Sequence, residues 1–168
     1  MSSHPIWVVI PAAGVGKRMQ ADRPKQYLPL GSKLVIEHTL ACFDRHPAVQ
    51  GIVVVLSPDD PYWSSLNLSY YHAPIYCALG GGERADSVLS GLHYLLNELK
   101  LSPDTRVAVH DAARPCLTER DLTAVIAAAY QHPQGALLAY PVRDTMKRAE
   151  PDRLQVQRTE SRDHLWHA

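Results

Sequence analysis

Two apolar spacings take turns along this chain. Residues 6–10, 51–56, 75–79, 106–110 and 136–140 are largely apolar runs of strand length, as expected of strands buried on both faces. Between them the spacing becomes helical. Residues 34–46 carry Ile36, Leu40 and Phe43 on one side, and Pro47 closes the stretch. A second helix is predicted over 83–99, with Val88, Leu92, Leu95, Leu96 and Leu99 on its apolar face. A third is predicted over 118–130, with Leu122, Val125, Ile126 and Ala129. Thr118 followed by Asp121 resembles a capping box at the start of that third helix. Residues 62–73 read as one short helix and a loop.

Strands alternating with amphipathic helices predict an α/β fold with a mostly parallel sheet covered on both faces. Right-handed crossovers place the loops that follow the strands along one edge, where such sheets bind ligands. The pattern changes after Val142. Residues 142–163 are dense in charge, alternate at Leu154-Gln-Val-Gln157 and carry a turn signal at Glu150-Pro-Asp-Arg153. They predict a two-stranded β-arm. A lone hairpin is marginal in water, so this arm is expected to lie against another surface such as a second subunit. The closing segment, Leu165-Trp-His-Ala168, is apolar without a stop signal and reads as a cut rather than a natural end.

The 168 residues are expected to form a single domain. Seventeen basic and seventeen acidic residues cancel, which removes the electrostatic reason to expect nucleic acid or an acidic membrane as partner. Cys42, Cys77 and Cys116 are widely spaced and form no C-x-x-C pair, as expected of reduced thiols in a cytoplasmic protein. No basic n-region precedes the 6–10 run, and no run approaches membrane-spanning length.

Against that neutral background one cluster stands out. After the first strand come Pro11, Ala12, Ala13, Gly14 and Gly16, then Lys17, Arg18, Arg23 and Lys25 against the single acid Asp22. Small residues let backbone N–H groups approach a ligand, and the cations suit a polyphosphate. The stretch is neither of two familiar phosphate motifs. A P-loop would need Gly at Pro11 and Ser or Thr at Arg18, and the dinucleotide fingerprint would need a small residue at Met19.

Two more strand ends carry chemistry. Gly80-Gly-Gly-Glu-Arg-Ala-Asp-Ser87 allows close approach of a base or sugar, with Arg84 and Ser87 in the first helical turn; alternatively it is a flexible connector. His110-Asp-Ala-Ala-Arg-Pro115 places Asp111 where a carboxylate can hold Mg²⁺ beside a triphosphate, with Arg114 close by; alternatively His110 and Asp111 cap a turn. On the arm, Arg143-Asp-Thr-Met-Lys-Arg148 with Arg158 and Arg162 reads either as a solvated charged hairpin or as a second anion site.

These stretches, taken together with Pro24-Lys-Gln-Tyr27 and Asp144-Thr-Met-Lys147 and in this order from about residue 6 to 168, resemble the 2-C-methyl-D-erythritol 4-phosphate cytidylyltransferases of the non-mevalonate isoprenoid pathway. The resemblance implies a Rossmann-like nucleotidyltransferase sheet and a homodimer built through the arm. It implies transfer of CMP from CTP to 2-C-methyl-D-erythritol 4-phosphate, with Mg²⁺ as cofactor. By position, Ala12, Ala13, Gly14 and Gly16 would supply backbone contacts to CTP, and Arg18 and Lys25 would be the catalytic cations. Gly82, Arg84 and Ser87 would lie around cytosine and ribose. Asp111 would bind metal, and Arg114, Thr145 and Arg162 would hold the methylerythritol phosphate, some of them reaching across the dimer. The chain is expected to lack the family's C-terminal part, which carries a further substrate threonine, a lysine and a second metal-binding acid. The alternatives are a cytidylyltransferase for another polyol phosphate, such as ribitol 5-phosphate, and a non-catalytic nucleotide-binding protein.

Overall fold

The computed structural model describes residues 4–14, 23–150 and 154–168. It divides into two compact units, Met1–Leu122 and Thr123–Ala168.

In the first unit, β1 (Ile6–Pro11) leads towards a 3-10 turn at Lys25–Tyr27 and a tight hairpin of β2 (Pro29–Leu30) and β3 (Lys33–Leu34). Then come α1 (Val35–Asp44), β4 (Val49–Leu56), a 3-10 turn at Trp63–Ser65, β5 (Ile75–Leu79), α2 (Arg84–Asn97) and β6 (Val107–Val109). Strands β1, β4, β5 and β6 form one parallel sheet in the order β5-β4-β1-β6. The chain winds outward from β1 through β4 to β5, then returns to lay β6 on the other side of β1. That reversal opens a crevice beyond the carboxyl ends of β1 and β6, the place where doubly wound sheets bind ligands.

Burial explains why these runs become strands. Val8, Val9, Ile10 and Ile52 through Val55 are fully buried. Successive strand residues point to opposite faces, so both faces are covered at β1 and β4, whereas the edge strands β5 and β6 leave Leu79 and Val109 exposed. On one face Val9, Val53 and Val55 pack with Leu95 of α2. The inner stripe of α2 is Ser87, Gly91 and Leu95, whereas Leu96, expected on the apolar face, is exposed. Gly91 permits the close fit: a Cβ there would stand 2.5 Å from Val9 Cγ1 and 3.1 Å from Val55 Cγ2. Helix α1 buries Ile36, Leu40 and Phe43, the residues its spacing singles out.

Helix α3 (Glu119–Gln131) runs from the end of the first unit into the second. Thr118 caps it as expected, accepting from the Asp121 N–H at 3.1 Å and donating to Asp121 Oδ2 at 2.7 Å. The second unit continues with β7 (Tyr140–Pro141), β8 (Lys147–Ala149), β9 (Val156–Thr159) and β10 (Trp166–His167). Strands β8 and β9 pair antiparallel and form the expected arm; of its turn, residues 151–153 lie outside the described residues.

One expectation is corrected. Residues 136–140 do not form a sheet strand; only Tyr140–Pro141 pairs, antiparallel with Trp166–His167. An apolar run becomes a buried strand only where a neighbouring ladder and a covering layer exist. Residues 136–139 have no ladder partner among the described residues, and Leu137 is 70% exposed.

Candidate active site

A cavity of about 750 Å³ opens at the carboxyl edge of the sheet, lined by residues 11–14 after β1, 81–84 after β5 and 111–114 after β6, together with Lys25, Gln26 and Ser87. All three strand ends singled out in the sequence therefore meet in one hollow.

The floor is the segment after β1. Ala12 donates its N–H to the Val55 carbonyl at 2.7 Å, extending the sheet by one rung. Among the described residues, the N–H groups of Ala13 and Gly14 remain as the donors of this cradle. A Cβ on Gly14 would meet nothing within 4 Å, so no packing demands a glycine there. Gly80 is different. A side chain there would collide with the Ala13 Cβ at 2.5 Å and the Ser87 Oγ at 2.9 Å. This glycine lets the loop after β5 press directly on the loop after β1. Gly16 and Arg18 lie outside the described residues.

Lys25 reaches the same hollow from its 3-10 turn, which is anchored on both flanks. Gln26 is buried and its amide donates to the Ala12 carbonyl at 2.7 Å, with a longer contact of 3.4 Å to the Gly14 carbonyl. Tyr27 is fully buried and donates its hydroxyl to Asp60 Oδ2 at 2.8 Å. Burial, reinforced by the Asp60 bond, pushes the Tyr27 phenol far above its ordinary pKa, so it remains a donor. The other oxygen of Asp60 accepts from the N–H groups of Tyr62 and Trp63 at 2.9 and 3.0 Å.

The wall after β6 is organised by Asp111. Its Oδ1 accepts from Arg84 Nη2 at 2.7 Å and Nε at 3.0 Å, and its Oδ2 pairs with Arg114 Nε at 2.9 Å. Arg84 and Arg114, expected to serve different substrates, thus share one carboxylate. Both guanidinium groups are mostly exposed and the carboxylate about one-third exposed, so solvent weakens each pair. Among the described residues, Asp111 and Glu83 are the carboxylates that line the cavity.

Helix α1 holds the loop of Asp111 from behind. Thr39, fully buried, donates to the Ala112 carbonyl at 2.9 Å, and the Cys42 thiol lies 3.4 Å from the Pro115 carbonyl. Burial raises the Cys42 pKa and keeps the sulfur protonated as a donor. His110 turns its ring to the Arg114 carbonyl at 2.9 Å and its edge to Phe43, which makes it a structural residue of this loop. Ser87 is buried in the first turn of α2, with its hydroxyl 3.2 Å from the Glu83 carbonyl. Gln26, Thr39 and Cys42 were assigned no role from sequence. Gln26 alone carried a signal, its place next to Lys25.

Thr145 and Arg162 belong to the second unit. They stand on the two limbs at the base of the arm, where Arg162 hydrogen-bonds the Arg143 carbonyl and the Glu160 N–H donates to the Met146 carbonyl. Thr145 is exposed.

A family model for IspD, 2-C-methyl-D-erythritol 4-phosphate cytidylyltransferase, matches residues 6–168. The chain is 53% identical over 161 residues to the 2-C-methyl-D-erythritol 4-phosphate cytidylyltransferase of Vibrio cholerae. It is 54% identical over 160 residues to that of Pseudomonas aeruginosa. Each match covers 95% of this chain and 67% of the relative, so the chain spans about two thirds of their length. A solved 4-diphosphocytidyl-2C-methyl-D-erythritol synthase superposes with a TM-score of 0.82 at 37% identity, over 99% of this chain and 72% of that one. The Francisella tularensis cytidylyltransferase superposes with a TM-score of 0.70 at 31% identity, over 97% of this chain and 69% of that one.

Proposed function

This chain belongs to the 2-C-methyl-D-erythritol 4-phosphate cytidylyltransferase family, and we propose that it transfers CMP from CTP to 2-C-methyl-D-erythritol 4-phosphate. The observation that carries the proposal is the meeting of three strand-end loops around one cavity that holds Lys25, Arg84, Arg114 and Asp111.

The chemistry follows from the charges. A phosphate oxygen of the sugar alcohol attacks the α-phosphorus of CTP. A new P–O–P bond forms, the bond to the β-phosphate breaks, and pyrophosphate leaves with the electron pair. A phosphate monoester has its second pKa near about 6, so at neutral pH the nucleophile is already mostly a dianion. A general base is not required. The barrier is repulsion between two anions, and fixed cations lower it by favouring the charge that accumulates in the transition state. Lys25 supplies such a cation from an anchored turn, and Arg18 a second. The backbone of Ala12, Ala13, Gly14 and Gly16 lines the triphosphate; Gly82, Arg84 and Ser87 serve the nucleoside. Arg114, Thr145 and Arg162 take the sugar phosphate.

Asp111 suits Mg²⁺, which commonly takes one or two carboxylates and completes its shell with substrate phosphates and water. Both Asp111 oxygens are engaged by guanidinium groups, so a cation binding there would compete with Arg84 and Arg114 for the same carboxylate. When bound, the ion would neutralise triphosphate charge and help orient the α-phosphate. The homodimer through the arm and a cytoplasmic location complete the proposal. No helix among the described residues is long and apolar enough to cross a membrane.

The test is pyrophosphate release with CTP and Mg²⁺, with methylerythritol 4-phosphate and ribitol 5-phosphate side by side. Release with the first alone is expected. Release only with ribitol phosphate moves the assignment to the other polyol. CTP binding without release on either leaves a nucleotide-binding protein.

A further inference from the structure

Gln26 is a polar side chain placed where polar side chains are costly. It is 5% exposed, between the turn that carries Lys25 and the segment after β1. Burial of an amide is tolerated when its hydrogen bonds are made, and here both described bonds go to cradle carbonyls, those of Ala12 and Gly14. We infer that Gln26 is a positioning residue for the nucleotide: it sets the direction of the cradle's Ala13 N–H donor before any ligand arrives. This rests on the reading of the cavity as a CTP site.

The argument is one of peptide geometry. The carbonyl of Ala12 and the N–H of Ala13 belong to the same planar trans unit, so holding one fixes the direction of the other. The N–H of Ala12 is tied to Val55 on the near side. With Gln26 on the Ala12 carbonyl, both peptide units that flank the Ala12 Cα are held, the first by Val55 and the second by Gln26. Donors aimed in advance need no reorganisation when charge arrives, the condition under which they stabilise an anion most. The same side chain couples the cradle to its cation: Gln26 follows Lys25 in the 3-10 turn, so the backbone donors and the ammonium group move as one unit. Tyr27, bonded to Asp60, holds the turn's other flank.

Two variants and three readouts test this. Gln26→Met keeps length and removes both donors; Gln26→Glu keeps the shape and faces the carbonyls with acceptors. In hydrogen exchange, the 6–14 segment of Gln26→Met should exchange faster while β4 keeps its protection. In calorimetry, CTP should bind at least tenfold more weakly to both variants at pH 8. In steady state, KM for CTP should rise with KM for the sugar phosphate unchanged. A glutamate buried against carbonyls titrates above its ordinary value of about 4.3, and its acid form regains one donor. The affinity of Gln26→Glu relative to the native chain should therefore recover as pH falls from about 8 to about 6, while that of Gln26→Met stays flat.

Native CTP affinity in Gln26→Met, equal losses for both substrates, or pH-independent behaviour of Gln26→Glu would overturn the inference. Failure of both variants to fold would do so too, leaving Gln26 a folding residue. The two proposals fail separately. A native chain that binds CTP without releasing pyrophosphate rejects the transfer reaction and leaves Gln26 standing. Pyrophosphate release by the native chain together with an unchanged KM for CTP in Gln26→Met does the reverse.

Discussion

Strand β4 buries every residue from Gly51 to Leu56, whereas every residue of β8 and β9 is exposed. In β4 the backbone is held in place by apolar side chains on both faces, and removing any of them leaves a cavity. The arm has no such core of its own. Its limbs are joined by ladder bonds, by Lys147 to Thr159 at 2.7 Å, and by Glu160, which pairs with both Arg148 and Arg158. The difference teaches where precision can reside. A cation presented from the packed unit is already aimed; one presented from an exposed hairpin must be ordered by whatever the hairpin meets.

The sharpest way to break that contrast is to remove charge from the packed side. Lys25→Ala, or Arg18→Ala, should lower kcat/KM for pyrophosphate release by about 100-fold or more, with little change in Tm. Near-normal turnover would end the claim that these cations answer the triphosphate. Asp111→Asn should cost a factor on the order of 100 and, unlike the lysine variant, shift the Mg²⁺ dependence to higher concentration. An unchanged Mg²⁺ profile would place the ion elsewhere.

Next in size are changes to the packing itself. Gly91→Ala drives a methyl group into Val9 and Val55, and should destabilise by about 1–3 kcal/mol, a Tm loss of several degrees by calorimetry. A neutral result would show that α2 can ride away from the sheet without cost. Tyr27→Phe removes one hydrogen bond at a fully buried site and should cost about 1–2 kcal/mol. It should also weaken CTP binding if the turn of Lys25 loosens. A loss of stability with unchanged CTP affinity would confine Tyr27 to packing.

The smallest effect concerns acid. Partial burial alone would raise the Asp44 pKa, but bonds from the Ala73 N–H and from the ring and N–H of His72 outweigh it and hold the carboxyl below its ordinary value. A carboxyl whose folded pKa is depressed adds stability that is fully present above the unfolded value, about 3.9, and lost as pH falls through the lower folded value. Tm measured from about pH 6 to about pH 2 should therefore fall less steeply in Asp44→Asn than in the native chain. Glu160 is also held low, by Arg148 and Arg158. Its two arginine partners are mostly exposed on the arm, where solvent screens both pairs, so Glu160→Gln should leave the acid limb nearly as it was. Equal flattening by both variants would erase the distinction between the two regions.

Much of this molecule follows from local pattern. The runs at 6–10 and 51–56 and the spacing of Ile36, Leu40 and Phe43 are statements about which side chains must leave water, and the structure buries them accordingly. The run at 75–79, by contrast, becomes a strand that leaves Cys77 and Leu79 exposed. Strand ends rich in Gly, Asp and Arg mark a binding edge once the sheet is known to be parallel, so Ala13, Gly14, Lys25, Arg84, Asp111 and Arg114 were legible as one group. The run at 136–140 has the same composition as a strand and becomes none. Composition records the wish to be buried, and only the fold supplies the neighbour.

The sequence by itself therefore determined the order of strands and helices, the parallel sheet and the edge that carries charge, because those depend on periodicity along the chain. Tertiary structure decided the rest: that Asp111 stands between Arg84 and Arg114, that Thr39 and Cys42 hold its loop, that Gly80 brings two loops into contact, and that Gln26 grips the cradle. Apart from the Asp111–Arg114 pair, each of these joins residues well separated in the chain. A hydrogen bond or a close approach depends on distances of a few ångström, which no local spacing encodes.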